Sequence, residues 1–177
     1  MTSEQEIVKG CIKKDKLAQK ALFDSCAQKL YNVCFRYTNS QMDAEDLMQD
    51  AFILALQKIE TFKGKSSLTS WVCAIGINLA IDKIRKMKNI SFLEIDNIHQ
   101  ELPSEEAEME VDNAPDAALA LHAISKLPEG FQMVLKLYAL EKFTHQQIAD
   151  TLNISVGTSK SQLARARKKL AEILQKL

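Results

Sequence analysis

Five basic side chains are clustered near the C-terminal end of the chain, where they could bind nucleic-acid phosphates. They are Lys160, Arg165, Arg167, Lys168 and Lys169. Thr144 is a good cap for a helix over residues 145–152, residues 153–155 supply a short turn, and a second helix begins near Val156. This pattern is typical of a helix-turn-helix, whose second helix fits the major groove of DNA. The alternative is a surface helical hairpin with a solvated charged face.

A second set of side chains, over residues 63–88, combines charge, hydroxyl groups and an aromatic ring. A predicted loop contains Lys63, Gly64, Lys65, Ser66 and Ser67, and the helix after it contains Trp71, Asn78, Asp82, Lys83, Arg85, Lys86 and Lys88. Single-stranded DNA is bound by such mixtures, in which each stacked base contributes about 1–3 kcal/mol. The spacing of Asn78 and Asp82 puts both on one helix face, from which they can reach base edges. The alternatives are a core tryptophan and a solvated lysine face.

The helix before that loop has an acidic, polar face. Asp46 and Asp50 are four residues apart and Gln49 is three residues from Asp46, so the three share one exposed side. Like charges at this spacing repel one another slightly, which favours a basic docking partner, although acidic residues at a helix start are also ordinary capping.

The net charge of zero conceals two basic blocks separated by an acidic one. Residues 1–90 have a net charge of +4, residues 91–116 have nine acidic and no basic residues, and residues 117–177 have a net charge of +5. The acidic block contains Pro103 and Pro115 and predicts a flexible linker. No apolar run is long enough to span a bilayer and no secretory leader is evident, so we expect a cytoplasmic protein without membrane insertion.

The rest of the sequence predicts an all-α fold, because only five glycines and three prolines interrupt long helical patterns. Asp15 is expected to cap a helix with Leu17 on its inner face, and Asp43 to cap the next one. Trp71, Val72, Ile75, Leu79 and Ile84 are the expected packing residues of a helix over residues 68–88. The four cysteines lack metal-binding spacing, and no catalytic constellation is recognisable, so we expect no cofactor, no metal and no enzymatic activity.

Two motif blocks at this spacing resemble RNA polymerase sigma factors of the extracytoplasmic-function group, within the sigma-70 family. They are DAEDLMQDAFILAL followed by FKGKSSLTSWVCAIGINLAIDKIRK, and LPEGFQMVLKLYALEKFTHQQIADTLNISVGTSKSQLARARKKL. The resemblance implies two small helical domains: residues 1–90 for the polymerase core and the −10 element, and residues 117–177, a helix-turn-helix domain, for the −35 element. Residues 91–116 are the flexible acidic linker between them. It also implies an anti-sigma protein as a regulator.

The resemblance assigns roles to individual residues. Asp46, Gln49 and Asp50 match the surface that docks on core polymerase, and residues 63–67 match the loop that captures a base flipped out of the melted −10 element. Asn78, Asp82, Arg85 and Lys86 match the helix that contacts this element, with Trp71 nearby. The expected −35 contacts are Ser155, Thr158, Lys160, Ser161, Gln162, Arg165, Arg167 and Lys168. The family usually has an apolar residue at Ser159 and an arginine at Gln162; the glutamine could pair with adenine.

Two other classes of protein remain open at this level. A stand-alone helix-turn-helix regulator predicts a dimer that binds palindromic sites, but it leaves the lysine-serine loop unexplained. A helical adaptor predicts no salt-dependent DNA binding.

Overall fold

The computed structural model describes residues 3–88 and 117–176, which belong to two compact units, Met1–Ile90 and Ser91–Leu177. The N-terminal unit contains α1 (Glu4–Ile12), α2 (Lys16–Arg36), α3 (Gln41–Lys58) and α4 (Leu68–Lys88). The C-terminal unit contains α5 (Ala117–Ser125), α6 (Glu129–Leu135), α7 (His145–Leu152) and α8 (Val156–Leu174). The all-α prediction is confirmed, since no strand occurs within these residues. The predicted linker, residues 91–116, lies outside the described part of the chain.

Side-chain caps begin the helices of the N-terminal unit. As predicted, Asp15 caps α2 by accepting from the backbone N–H of Leu17 at 2.8 Å. Leu17 itself does not face the core: it is 78% exposed, whereas its neighbour Ala18 is the first-turn residue that approaches α1.

The cap of α3 differs from the prediction. Ser40 is the N-cap residue and accepts from the backbone N–H of Asp43 at 3.1 Å, so the helix begins at Gln41. The Ser40 hydroxyl also donates to the Asp43 carboxylate at 2.6 Å. Asp43 thus occupies the third helical position, where its negative charge is favourable near the helix N-terminus.

Helices α2, α3 and α4 pack together around an apolar core. The buried face of α4 is rotated from the expected one: Val72 is buried, whereas Trp71, Ile75, Leu79 and Ile84 are only partly buried. The fully packed residues are Cys73, Ile77, Ala80 and Ile81. Gly76 lies on this face, where an added Cβ would be 2.9 Å from Leu30 Cδ1, so glycine permits the close approach of α4 to α2.

All four cysteines are buried in the N-terminal unit. Burial raises the pKa of Cys26 to about 11 and that of Cys34 to about 12, in each case with a smaller contribution from nearby Cys73. Thiols held protonated in this way pack as small apolar side chains.

The C-terminal unit contains the predicted helix-turn-helix. Thr144 forms a capping box with Gln147 at the start of α7, and α7 ends at Asn153, which adopts the left-handed conformation with φ 56°. Ser155 then caps α8. The helix expected over residues 129–140 is α6 followed by a π-helical segment, Lys136–Leu140. Across residues 3–88 and 117–176, no helix combines the length and apolar character needed to cross a bilayer.

Candidate nucleic-acid interface

The 63–67 loop is exposed along its whole length and is fixed at both ends. Before it, the Phe62 ring contacts the Trp71 ring edge-on, with 5.4 Å between centroids. After it, the Ser67 hydroxyl accepts a hydrogen bond from the backbone N–H of Ser70 at 3.2 Å. This bond caps the first turn of α4. Gly64 has φ +68°, a conformation that glycine adopts without strain. The two lysines therefore project from a short exposed loop whose ends are defined by packing.

Trp71 is partly buried, so neither of the two sequence interpretations describes it fully. One edge contacts Phe62, and part of the ring stays accessible beside the loop. Further along α4, Asn78, Asp82 and Lys86 are exposed. The Arg85 guanidinium lies 3.4 Å from the Asp82 carboxylate, which holds the arginine along the helix surface.

The acidic face of α3 is accessible, with Asp46, Gln49 and Asp50 all exposed. Asp50 pairs with Lys83 of α4 at 2.7 Å, and the two side chains are 54% and 45% exposed, so the pair is weak and easily exchanged. An open groove lies beside this face. Its lining includes residues that the sequence analysis did not select, Ala27, Gln28, Tyr31 and Met48, together with Glu45 and Gln49 of α3. These residues come from two helices, and they line one groove only because α2 and α3 pack side by side.

The start of α8 is a chain of hydroxyl groups. Ser155 Oγ accepts from the backbone N–H of Thr158 at 2.9 Å and lies 2.8 Å from Thr158 Oγ1, and Ser161 Oγ donates to the Thr158 carbonyl at 3.1 Å. Lys160 and Lys168 are exposed, and Arg165 is partly buried. This face presents hydroxyl and cationic groups together, as a helix in the major groove requires.

Gln162 does not belong to that face. Its side chain is fully buried, as is that of Ser159, so Gln162 cannot reach the edge of an adenine as the sequence suggested. Helix α8 packs against α5, α6 and α7, and a side chain buried on it is enclosed by this packing. Ser159 Oγ lies 2.9 Å from His145 Nδ1 of α7, so a serine at a position where the family usually has an apolar residue makes a hydrogen bond between the two helices.

Arg167 is engaged within the protein. Its guanidinium carbon lies 5.5 Å from the centroid of the Tyr138 ring, a cation–π geometry, and the Tyr138 ring stacks on His145 with 5.0 Å between centroids. With the bond from His145 to Ser159, these contacts connect the π segment, α7 and α8. The sequence analysis did not identify the contacts of Tyr138 with His145 and Arg167, because ring contacts leave no periodic signal along the chain.

Comparisons with known proteins match both halves of the chain. Residues 22–90 match the family model for sigma-70 region 2, and residues 118–170 match that for sigma-70 region 4. The chain is 30% identical to SigW of Bacillus subtilis, described as an ECF RNA polymerase sigma factor, over 96% of each chain. It is 31% identical to the sigma factor SigV of the same organism, over 88% of this chain and 92% of SigV.

Two solved structures share the fold. One is the sigma factor RpoE in complex with the anti-sigma factor NepR from Bartonella quintana, with a TM-score of 0.60 and 23% identity over 88% of this chain and 96% of that one. The other is CnrH in complex with the cytosolic domain of CnrY, with a TM-score of 0.57 and 20% identity over 96% and 95%.

Proposed function

The chain belongs to the extracytoplasmic-function sigma factors of the sigma-70 family, and we propose on this basis which surfaces carry out each part of its work. As a sigma factor it binds core RNA polymerase and directs promoter-specific transcription initiation. The observation that carries this function is the match to both promoter-recognition regions within one chain. A stand-alone helix-turn-helix regulator accounts for the second match only, and an adaptor accounts for neither.

The acidic face of α3 is the proposed docking surface for core polymerase. Asp46, Gln49 and Asp50 are exposed on one side of this helix, and the adjacent groove offers apolar surface from Tyr31 and Met48. Charged residues around an apolar patch give both orientation and affinity to a protein interface. The exposed pair between Asp50 and Lys83 can exchange for a partner cation at little cost.

The 63–67 loop and α4 are the proposed contacts with the −10 element. Lys63 and Lys65 supply positive charge, and Ser66 and Gly64 leave room for a base to approach the backbone. The accessible part of Trp71 offers a surface for stacking. Asn78, Asp82 and Lys86 extend this surface along α4, with Arg85 held by Asp82. Unstacking a base costs a few kcal/mol, which such contacts must offset.

The N-terminal part of α8 is the proposed reader of the −35 element. Thr158, Lys160, Ser161 and Arg165 are the candidates for base and phosphate contacts, with Ser155 at the helix start and Lys168 beyond. Phosphate contacts position a helix in the groove, while contacts to base edges carry the sequence information. Gln162 is not among these candidates, because it is buried. The proposed role of Arg167 is to hold α8 against the π-helical segment through its contact with the Tyr138 ring.

An anti-sigma protein is the proposed regulator. The structural neighbours RpoE and CnrH are bound to NepR and to the cytosolic domain of CnrY, respectively. A protein that covers the α3 face and the start of α8 would block polymerase and DNA together. The acidic groups of α3 and the cationic groups of α8 would then require a partner with two surfaces of opposite charge.

Run-off transcription with purified core polymerase on genomic fragments tests this assignment. The double variant Asp46→Lys/Asp50→Lys is expected to abolish protein-dependent transcripts, since reversing both charges repels the basic partner. The control is Asp24→Lys, which reverses an exposed acidic residue of the same unit outside α3. It should retain transcription within about twofold, because scattered surface charges contribute little.

Two results would count against the assignment. If the α3 variant transcribes as well as the control, the polymerase surface lies elsewhere. If the wild-type protein gives no transcripts and binds palindromic DNA as a dimer without polymerase, the stand-alone regulator is the better description.

A further inference from the structure

Helix α1 has no role in the proposed contacts, yet its first residue touches the helix that follows the 63–67 loop. Glu4 Oε1 accepts a hydrogen bond from the backbone N–H of Leu68 at 3.1 Å, across 64 positions of the sequence. Leu68 is the first residue of α4. Its N–H is one of those that a helix leaves without an internal partner. Glu4 therefore caps α4 from outside.

The two acidic residues in the first turn of α1 make different contacts. Glu6 folds back on its own helix: its carboxylate accepts from the backbone N–H of Ser3 at 2.8 Å, and its own N–H donates to Ser3 Oγ at 3.3 Å. Glu4 instead reaches α4. Since the N-terminal ends of helices carry partial positive charge, a carboxylate at the starts of α1 and α4 is favourable to both.

Both ends of the loop depend on α1. On the incoming side, α1 packs against the 3₁₀ turn Ile59–Thr61, which precedes Phe62. On the outgoing side, Glu4 fixes Leu68, directly after Ser67. Ile7 of α1 is buried, and α1 is close enough to α2 that a Cβ on Gly10 would collide with Ala18. Helix α1 thus packs on α2 and contacts the chain on both sides of the loop.

We infer that Glu4 is a positioning residue for the loop that receives the −10 element, an inference that rests on the proposed function of that loop. Together with the Ser67 hydroxyl, the Glu4 carboxylate fixes the first turn of α4, and so where Ser66 and Ser67 stand relative to Trp71. It also occupies the start of α4, which would otherwise attract a DNA phosphate. The phosphates of the DNA backbone therefore contact Lys63 and Lys65 instead.

Binding of single-stranded DNA containing the −10 element, with 2-aminopurine as the reporter of the flipped base, tests the inference in reconstituted holoenzyme. Glu4→Ala should weaken this binding by about three- to tenfold, the equivalent of one lost helix cap. Glu4→Gln should restore most of it, because the amide oxygen can still accept from Leu68. Polymerase binding and binding to duplex −35 DNA should be unchanged in both variants.

Glu6→Ala is the matched control, since it removes an acidic cap from α1 without touching α4. It should retain near-wild-type −10 binding and 2-aminopurine signal. The inference is overturned if Glu4→Ala binds as the wild type does, if Glu6→Ala loses as much, or if Glu4→Gln fails to rescue. Because all variants are measured beside a transcribing wild type, these outcomes differ from a failure of the sigma-factor function, in which the wild type itself would be inactive.

Discussion

The two surfaces proposed to meet DNA are held in place in different ways. The 63–67 loop is exposed throughout and is fixed only at its ends, by the contact of Phe62 with Trp71 and by Glu4. Helix α8 is instead fixed along one side, where Ser159 and Gln162 are fully buried. Within residues 3–88 and 117–176, these are the two polar side chains buried to that degree.

This difference suits the two forms of DNA. A melted strand has no fixed shape, so a loop with defined ends can adapt to a flipped base. A duplex has a regular groove, and reading it requires a helix held at a fixed angle and rotation. The partly buried hydrogen bond between Ser159 and His145 specifies such an arrangement, because it forms only while α7 and α8 keep their relative placement. The following changes test whether the two surfaces depend on these separate supports.

Gln162→Glu is expected to have the largest effect. A carboxyl group buried in the place of the amide should have a raised pKa, so the C-terminal unit should lose about 3 kcal/mol of unfolding free energy at pH 7.5. The direction of the pH dependence follows from the raised pKa of the new carboxyl group. The variant keeps its unfolding free energy at low pH, where this group is protonated in both the folded and the unfolded state. It loses that free energy as the pH rises above about 4, the pKa in the unfolded state, toward the pKa in the folded state. Urea unfolding followed by far-ultraviolet circular dichroism at pH 5.5 and 7.5 measures this.

The single tryptophan, Trp71, separates the two units in that experiment, since its fluorescence reports on the N-terminal unit. Fluorescence-detected unfolding should be unchanged by Gln162→Glu. The exposed Gln175→Glu is the control and should change stability by only a few tenths of a kcal/mol. A destabilisation that does not depend on pH would show that volume, rather than charge, matters at residue 162.

Gly76→Ala should destabilise the N-terminal unit by about 1–3 kcal/mol, because the added methyl group would press on Leu30, which is itself fully buried. Urea unfolding monitored by Trp71 fluorescence measures the loss. Labelling of the buried cysteines at pH 8 should also become faster, since their raised pKa values and burial keep them unreactive until the unit opens.

Gly157→Ala is the matched change in the C-terminal unit. At that position the nearest atom to an added Cβ is Ser155 Oγ at 3.6 Å, an ordinary contact. The substitution should therefore be neutral or stabilise α8 by up to about 1 kcal/mol, because alanine favours helix. Equal destabilisation at both glycines would contradict the difference in packing described for the two units.

Ser159→Ala should destabilise the C-terminal unit by about 1 kcal/mol, since it removes one hydrogen bond with His145. It should weaken duplex −35 binding, measured by fluorescence anisotropy, without altering binding of single-stranded −10 DNA. Ser161→Ala is the stability control, because the Ser161 hydroxyl donates to its own helix. If Ser159→Ala impaired both kinds of DNA binding equally, the two surfaces would not have separate supports.

Much of the fold follows from interactions between residues that are close together in the sequence. The capping boxes at Ser3 and Thr144 and the start of α2 at Asp15 follow from side chains that bond to the backbone within a few positions. Asn153 ends α7 because asparagine tolerates the left-handed conformation. The prediction that Asp43 caps α3 was wrong, because Ser40 is a second acceptable cap and gives an earlier helix start. The face of α4 was also misjudged: Trp71 and Ile75 are strongly apolar, but the close approach permitted by Gly76 decides which side is buried.

The sequence by itself determined the helices, the helix-turn-helix and the resemblance to sigma factors, because periodicity, caps and motif spacing depend on neighbours along the chain. The tertiary structure decided which side chains remain for DNA. It buried Gln162, placed Arg167 on Tyr138, and set Glu4 at the start of α4. These contacts join residues far apart in sequence, and their partners are fixed only when the helices pack.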